Sequence, residues 1–170
     1  MNTKHIFWLI VFVPFYIIGQ NNPNFYLHNN GVTCMCPDAE IGESGEVNGV
    51  VYTKRNRDQI TEKNAATTCT SGITYLYRLF KGWASFNEDI SSWDVSSVTA
   101  MDEMFYGASS FNQDIGIWDV SQVKAHKVYN WHTPELITGM DAMFNGASSF
   151  NQDLSKWCVA NVHNPNSFSF

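Results

Sequence analysis

Charge is scarce in this chain. Asp, Glu, Lys and Arg make up 15% of the 170 residues, and 16 acids against 10 bases leave a formal net charge of −6. Acidity without an evident basic cluster argues against nucleic-acid binding, because phosphate neutralisation needs Lys and Arg gathered on one face. No G-x-S-x-G, H-E-x-x-H or P-loop is present. The five histidines, His5, His28, His126, His132 and His163, are scattered and none recurs at a fixed spacing. No catalytic residue and no cofactor are therefore expected, although Cys158 and His163 lie close enough in sequence for a nucleophile pair to be conceivable. The D-x-[DN]-x-[DN]-G calcium loop is also missing. Beyond the first twenty residues there is no long apolar run, so no membrane span is expected in the mature chain.

What is abundant is apolar and aromatic material. Hydrophobic residues are 44% and aromatics 15%, enough for a packed core and against disorder over most of the length. Residues 1–20 read as a signal peptide. Lys4 supplies the positive start, Ile6 to Ile18 is apolar but for Pro14, and Gly19 is a small residue near a cleavage point. A retained membrane anchor is the alternative, but the apolar run falls short of the roughly 20 residues a span needs. Without this segment, which holds one Lys and no acid, the net charge becomes −6 − 1 = −7.

Export changes how the four cysteines read. An oxidising compartment favours disulfides between Cys34, Cys36, Cys69 and Cys158. Three connectivities are open, and Cys34 and Cys36 are too close for a relaxed bridge with each other. The expected bridge joins one of these two, Cys36 for preference, to Cys69. A metal site using Cys34, Cys36, Cys69 and His28 is the rival, but C-M-C does not match the usual C-x-x-C spacing.

The second half repeats itself. Phe86–Val98 reads FNEDISSWDVSSV, Phe111–Val123 reads FNQDIGIWDVSQV, and Phe150–Val162 reads FNQDLSKWCVANV. Related blocks precede them: LYRLFKGWAS from Leu76, MDEMFYGASS from Met101 and MDAMFNGASS from Met140. The step from Phe86 to Phe111 is 25 and that from Phe111 to Phe150 is 39. The second step exceeds the first by 39 − 25 = 14, which marks an insert near 124–137. A decayed half-repeat is the other reading of this insert, since WHTPELITGM faintly echoes WDVSSVTAM. Trp93 and Val95 are two apart, a strand spacing. Val98, Met101, Met104 and Phe105 step by three, three and one, a helical spacing. The expectation is therefore an α/β chain in which each repeat of about 25 residues holds a short strand near Ser92–Ser96 and a short helix near Asp102–Tyr106, ended by Gly107. Such units cannot close a core alone, so stacking into a short solenoid over residues 69–170 is expected.

The pattern M-x-x-M-F-x-x-A-x-x-F-N-x-D-I-x-x-W-D-V-S-x-V resembles the BspA-like leucine-rich-repeat surface proteins of bacteria, over about Cys69 to Val162. The upstream GEVNGVVYTKRNRDQITEKNAATTCTSGIT is similar to the leader of such arrays, and WCVANV to their last repeat. The resemblance implies a short, curved leucine-rich-repeat-like solenoid at or outside the cell surface with a binding or adhesion role, and carries no catalytic residues. The chain departs from the pattern in its few repeats, its insert and its end at Phe170 soon after the last repeat. The insert puts regular stacking in question, and the end also suits a truncated product.

Residues 21–68 are expected to form an N-terminal cap over the exposed end of the array. Short strands are expected at Asn24–His28 and Gly31–Cys34, a hairpin about Asn48-Gly49, and a short helix over Asp58–Ala66.

Three columns of the repeat carry polar or aromatic chemistry. Asp89, Asp114 and Asp153 form one acidic column, and Asp94 and Asp119 another that Cys158 interrupts. They suit turns, accepting bonds from nearby backbone N–H groups. Asp94 and Asp119 are also the candidate ligand contacts, as an acidic strip on an outward strand row. Asn87, Asn112 and Asn151 suit a ladder bonding the backbone of the next coil. Trp93, Trp118 and Trp157 suit the core, with an exposed carbohydrate-stacking row as the alternative. Together these features point to an exported, non-catalytic binding or adhesion protein whose partner is an extracellular protein or glycan. The alternatives are a structural spacer or remnant and, more remotely, an exported hydrolase.

Overall fold

The computed structural model describes residues 22–129, 134–137 and 139–162. Residues 1–20, where a signal peptide is expected, lie outside them, as do His132 and His163.

The cap is built from short strands. β1 (Tyr26–Leu27) pairs antiparallel with β2 (Cys34–Met35). β3 (Ser44–Val47) and β4 (Val50–Lys54) form a hairpin, and β5 (Thr68–Cys69) adds to the other side of β4 in parallel. The hairpin turns at Asn48 and Gly49, with φ of 51° and 79°. Two consecutive left-handed residues are what a two-residue turn between twisted strands requires, and Asn and Gly tolerate them best. Phe25, Cys34, Cys36, Ala39, Val47, Tyr52 and Cys69 make a small core of their own. A disulfide joins Cys36 to Cys69 across 33 residues, with an S–S distance of 2.01 Å. Closing a loop of that length removes roughly 3–4 kcal/mol of freedom from the unfolded chain.

The expected strand-and-helix repeat is overturned. Among the described residues there is no α-helix, and helical geometry is limited to two single 3-10 turns, Arg57–Gln59 and Ala65–Thr67. These two turns replace the helix expected over Asp58–Ala66. Ser92–Ser96 is not a strand but irregular chain flanked by turns, and Asp102–Tyr106 is not a helix but a run of turns. The architecture is small sheets and turn-built coils, not an α/β solenoid.

Backbone hydrogen bonding gives the reason. Met104, Tyr106 and Ala108 donate N–H groups to the carbonyls three residues back, at Met101, Glu103 and Phe105. The N–H groups between them, of Met101, Glu103, Phe105 and Gly107, donate instead to Gly139, Asp141, Met143 and Asn145 in the next coil. The preceding coil does the same, with Leu76, Arg78, Phe80 and Gly82 donating to Ala100, Asp102, Met104 and Tyr106. A helix would spend every N–H locally and a strand would spend none; this chain alternates. Alternation needs the peptide planes to flip, and Arg78, Glu103 and Ala142, one at the same position of each coil, adopt φ of 54°, 53° and 48°. Serial turns of this kind bring about every third side chain inward, which imitates a helical period.

One continuous core runs through the coils. Leu76, Met101 and Met140 are fully buried, as are Phe80, Phe105 and Phe144. Phe86, Phe111 and Phe150 stack at 5.7 and 5.8 Å. Burying a large apolar side chain stabilises by roughly 1.5–3 kcal/mol, so the repeated column carries most of the cohesion. The insert leaves this register intact. It forms a hairpin of β6 (His126–Tyr129) and β7 (Pro134–Ile137), and the chain re-enters at Gly139 beside the point of exit at Lys124.

Candidate functional site

Asp94 and Asp119 are brought to one place, a shallow cleft of about 80 Å³ that His28, Asn30, Met35 and Ser96 also line. They do not form an outward acidic strip. Among the described residues no strand row carries one, and Asp94 is only 6% exposed under the cap. The cap is tied down at this point, since Cys34 N–H donates to the Ser92 carbonyl at 2.8 Å and the Thr70 hydroxyl to the Asp94 carbonyl at 2.9 Å. Asp119 is exposed.

Both carboxylates turn back on their own backbone. Asp94 Oδ1 accepts from Ser96 N–H at 3.1 Å and from its hydroxyl at 2.6 Å, and Asp119 Oδ1 accepts from Ser121 N–H at 3.0 Å. Asp89, Asp114 and Asp153 accept from Ser91, Gly116 and Ser155 in the same way, each two residues on. These bonds hold the Asp153 carboxyl below the usual range. Five acids are thus spent on turns.

The asparagines and tryptophans are spent on stacking. Asn87 Oδ1 accepts from Asn112 N–H at 2.9 Å, and Asn112 Oδ1 from Asn151 N–H at 3.0 Å. The indoles of Trp93, Trp118 and Trp157 are buried and stacked 6.2 and 6.4 Å apart. Their Nε1–H groups donate to the carbonyls of Ala65, Ile90 and Ile115 in the preceding layer. A buried row offers no platform to a sugar.

The cysteines do not make a metal site. Cys36 and Cys69 are consumed by their bridge. Cys34 is buried, and burial, with the Asp94 carboxylate adding to it, pushes its thiol up to about 12. Among the described residues no group of three or more His, Cys, Asp or Glu side chains is placed to hold a metal ion.

A different face gathers exposed rings and cations. Tyr75, Tyr77 and Tyr106 are 50%, 36% and 38% exposed. Each carries a cation against its ring: Arg57 lies 5.4 Å from the Tyr75 centroid, Arg78 4.6 Å from Tyr77 and Lys81 4.4 Å from Tyr106. Contacts run between the three. Arg57 Nη2 donates to the Tyr77 carbonyl, Arg78 bonds Glu103 at 2.6 Å, and Lys81 pairs with the same carboxylate. The hydrogen bond from Arg78, joined by that from Lys81, holds Glu103 below its ordinary value.

Charge order carried a signal for the cations of this face, though not for their assembly with the rings. Six of the ten cations, Lys54, Arg55, Arg57, Lys63, Arg78 and Lys81, fall within residues 54–81, beside two acids, whereas residues 82–170 hold three cations and ten acids. The absence of a basic cluster stated from overall composition therefore does not hold locally. The repeat pattern drew attention to positions that recur, and Tyr75, Tyr77 and Tyr106 do not.

The fold and this face define a repeat protein of stacked, turn-built coils with a disulfide-tied cap and an exposed tyrosine–cation surface at their junction. The profile of the family described as "Mycoplasma protein of unknown function, DUF285" matches residues 51–129 and 125–169, more than half of the chain, and the chain belongs to that family. No curated protein and no solved structure matches the chain. Among the described residues no helix is long and apolar enough to cross a membrane.

Proposed function

We propose that this protein is an exported or cell-surface binding module of BspA-like character, non-catalytic, which holds an extracellular protein or glycan ligand. The observation that carries the reading is the contiguous face of Tyr75, Tyr77 and Tyr106 with Arg57, Arg78 and Lys81 against their rings. Tyr and Arg supply large contact area at low entropy cost and are enriched where proteins bind. The polar columns of the coils are engaged internally, so this junction is where contact chemistry remains available. Export is supported by Lys4 and the Ile6–Ile18 run, and the Cys36–Cys69 bridge suits an oxidising compartment. The recurring MF, FNQD and WDVS blocks support the BspA-like assignment.

The test is a binding screen of the exported protein against extracellular-matrix proteins and glycans, run beside the Tyr75→Ala/Tyr77→Ala/Tyr106→Ala variant. The expected result is saturable binding that the variant loses while keeping its unfolding midpoint. Binding that the variant retains would move the site elsewhere. A folded protein that binds nothing would favour a structural spacer, the reading to which the internally satisfied Asn, Asp and Trp columns also lend themselves.

A further inference from the structure

We propose that the cleft between the cap and the first coil binds an acidic sugar, an oligosaccharide bearing sulfate or carboxylate groups; this rests on the binding-module reading and names its ligand. The cleft measures about 370 Å³ and lies between the end of β4 and residues 71–75. Its walls hold Lys54, Arg55 and Arg57 against a single acid, Asp58, in a chain that is otherwise strongly acidic. That volume falls in the range of small-ligand clefts, roughly 300–1,000 Å³.

Two of these cations are fixed in place but not neutralised. Lys54 Nζ donates to the carbonyls of Cys36 and Pro37 at 2.7 and 3.2 Å. Arg55 Nη1 donates to the Thr67 carbonyl and the Thr68 hydroxyl, both at 3.0 Å. Among the described residues neither reaches a carboxylate, and Arg57 alone pairs with Asp58, at 3.1 Å. Neutral oxygens orient these side chains and leave their charge available, the arrangement that suits an anion supplied from outside. Burial pulls Arg55 below its ordinary value, the direction expected of a cation held without a counter-ion.

The same walls offer apolar faces. Tyr75 and Ile41 are each about half exposed at the cleft. An aromatic face beside cations matches a sugar ring, whose C–H face stacks while its anionic substituents meet Arg and Lys. A peptide added as a strand is disfavoured here, because β4, whose end forms the wall, is already paired on both sides by β3 and β5. An acidic peptide held by its side chains alone is the competitor that the oligoglutamate probe below tests.

The test is titration calorimetry of the exported protein with four probes: a sulfated tetrasaccharide, a uronic-acid tetrasaccharide, a neutral tetrasaccharide of the same length, and an oligoglutamate peptide. The expected result is saturable binding of one or both acidic sugars, weakened by added salt, and reduced about tenfold or more by Lys54→Gln and by Tyr75→Ala. Tyr75→Ala removes a half-exposed ring and guards against a folding defect in Lys54→Gln. Lys156→Gln, a change on an exposed residue outside the cleft, should leave affinity unchanged. Equal binding of the neutral sugar, preference for oligoglutamate, or indifference to both variants would overturn the proposal. Matrix-protein binding that depends on Tyr77 and Tyr106, with no acidic sugar bound, would overturn this inference alone. No binding of any probe or matrix protein would overturn the binding-module reading with it.

Discussion

Trp157 lies 6.4 Å from Trp118 and within 4° of parallel to it, although the whole insert lies between them in the chain. Trp118 and Trp93, one uninterrupted repeat apart, lie at 6.2 Å and within 7°. The insert leaves no mark on the stack. Each indole also donates its N–H to the layer before it, so the column is both an apolar core and a line of satisfied polar groups.

Trp118→Phe should keep a ring in the stack and remove one of the two bonds to the Ile90 carbonyl, which still accepts from Trp93 N–H, costing about 0.5–1.5 kcal/mol. Trp118→Ala should cost about 3–5 kcal/mol by opening a cavity. Urea unfolding of both variants checks this. A Phe variant as stable as the parent would show that the indole bond contributes nothing.

Deleting residues 125–138 should restore the spacing of the uninterrupted repeat and leave a folded protein. Lys124 N–H already donates to the Thr99 carbonyl at 3.2 Å, and the Gly139 carbonyl already accepts from Met101 at 2.6 Å, so the two ends stand in register with the coil before. Gly139→Ala, with the insert kept, should destabilise by more than the roughly 1 kcal/mol of an ordinary left-handed glycine. Its φ is 88° and a Cβ would stand 2.5 Å from the Lys124 carbonyl oxygen, whereas at Gly82 a Cβ meets nothing within 4 Å. Thermal melts of the deletion, Gly139→Ala and Gly82→Ala decide both points, and a molten deletion variant would make the hairpin part of the fold.

Acid should weaken the junction through Glu103. Its folded value lies below the ordinary 4.5, chiefly because Arg78 bonds it. A depressed carboxyl contributes stability that is present above the ordinary value and is lost as pH falls through the folded one. The pair is partly exposed, so the contribution is no more than about 1 kcal/mol. Glu103→Gln should lower the melting temperature near neutrality, where the charged carboxyl contributes, and the variant and parent should converge as pH falls below 4.5. An unchanged acid limb would place the sensitivity in other carboxylates.

The two free cysteines should differ in reactivity. Cys158 is exposed, whereas Cys34 is buried with its thiol pushed up to about 12. Iodoacetamide at mildly alkaline pH should label Cys158 in the native protein and reach Cys34 only on unfolding. Because the folded value is raised, the stability linked to Cys34 is present below the ordinary 9.0 and fades as pH rises from there towards 12. Native labelling of Cys34 would show that the cap opens over the first coil.

The repeat was legible because each coil reuses one chemistry. Trp, Asn, Phe and Asp return at fixed spacing, and a side chain that returns so regularly meets its copy. From this alone follow the Asn87–Asn112–Asn151 ladder, the buried indoles and the insert's position. Asn48-Gly49 was equally legible, because a two-residue left-handed turn is a local property. Secondary structure was not. Steps of three along Val98, Met101 and Met104 suit a helix and a run of turns alike.

The choice between helix and turns was made by the neighbouring coil, which takes every second N–H from the segment around Glu103 and so denies the segment its helix. Tertiary packing also selected Cys36 over Cys34 for Cys69, by seating Cys34 against Ser92 under the cap. It alone assembled Arg57, Tyr75, Tyr77, Arg78, Lys81 and Tyr106 into one face, because these residues come from the cap and two different coils. Periodicity reports contacts between copies. Contacts between unlike residues of different elements depend on how those elements are placed, and only the folded chain places them.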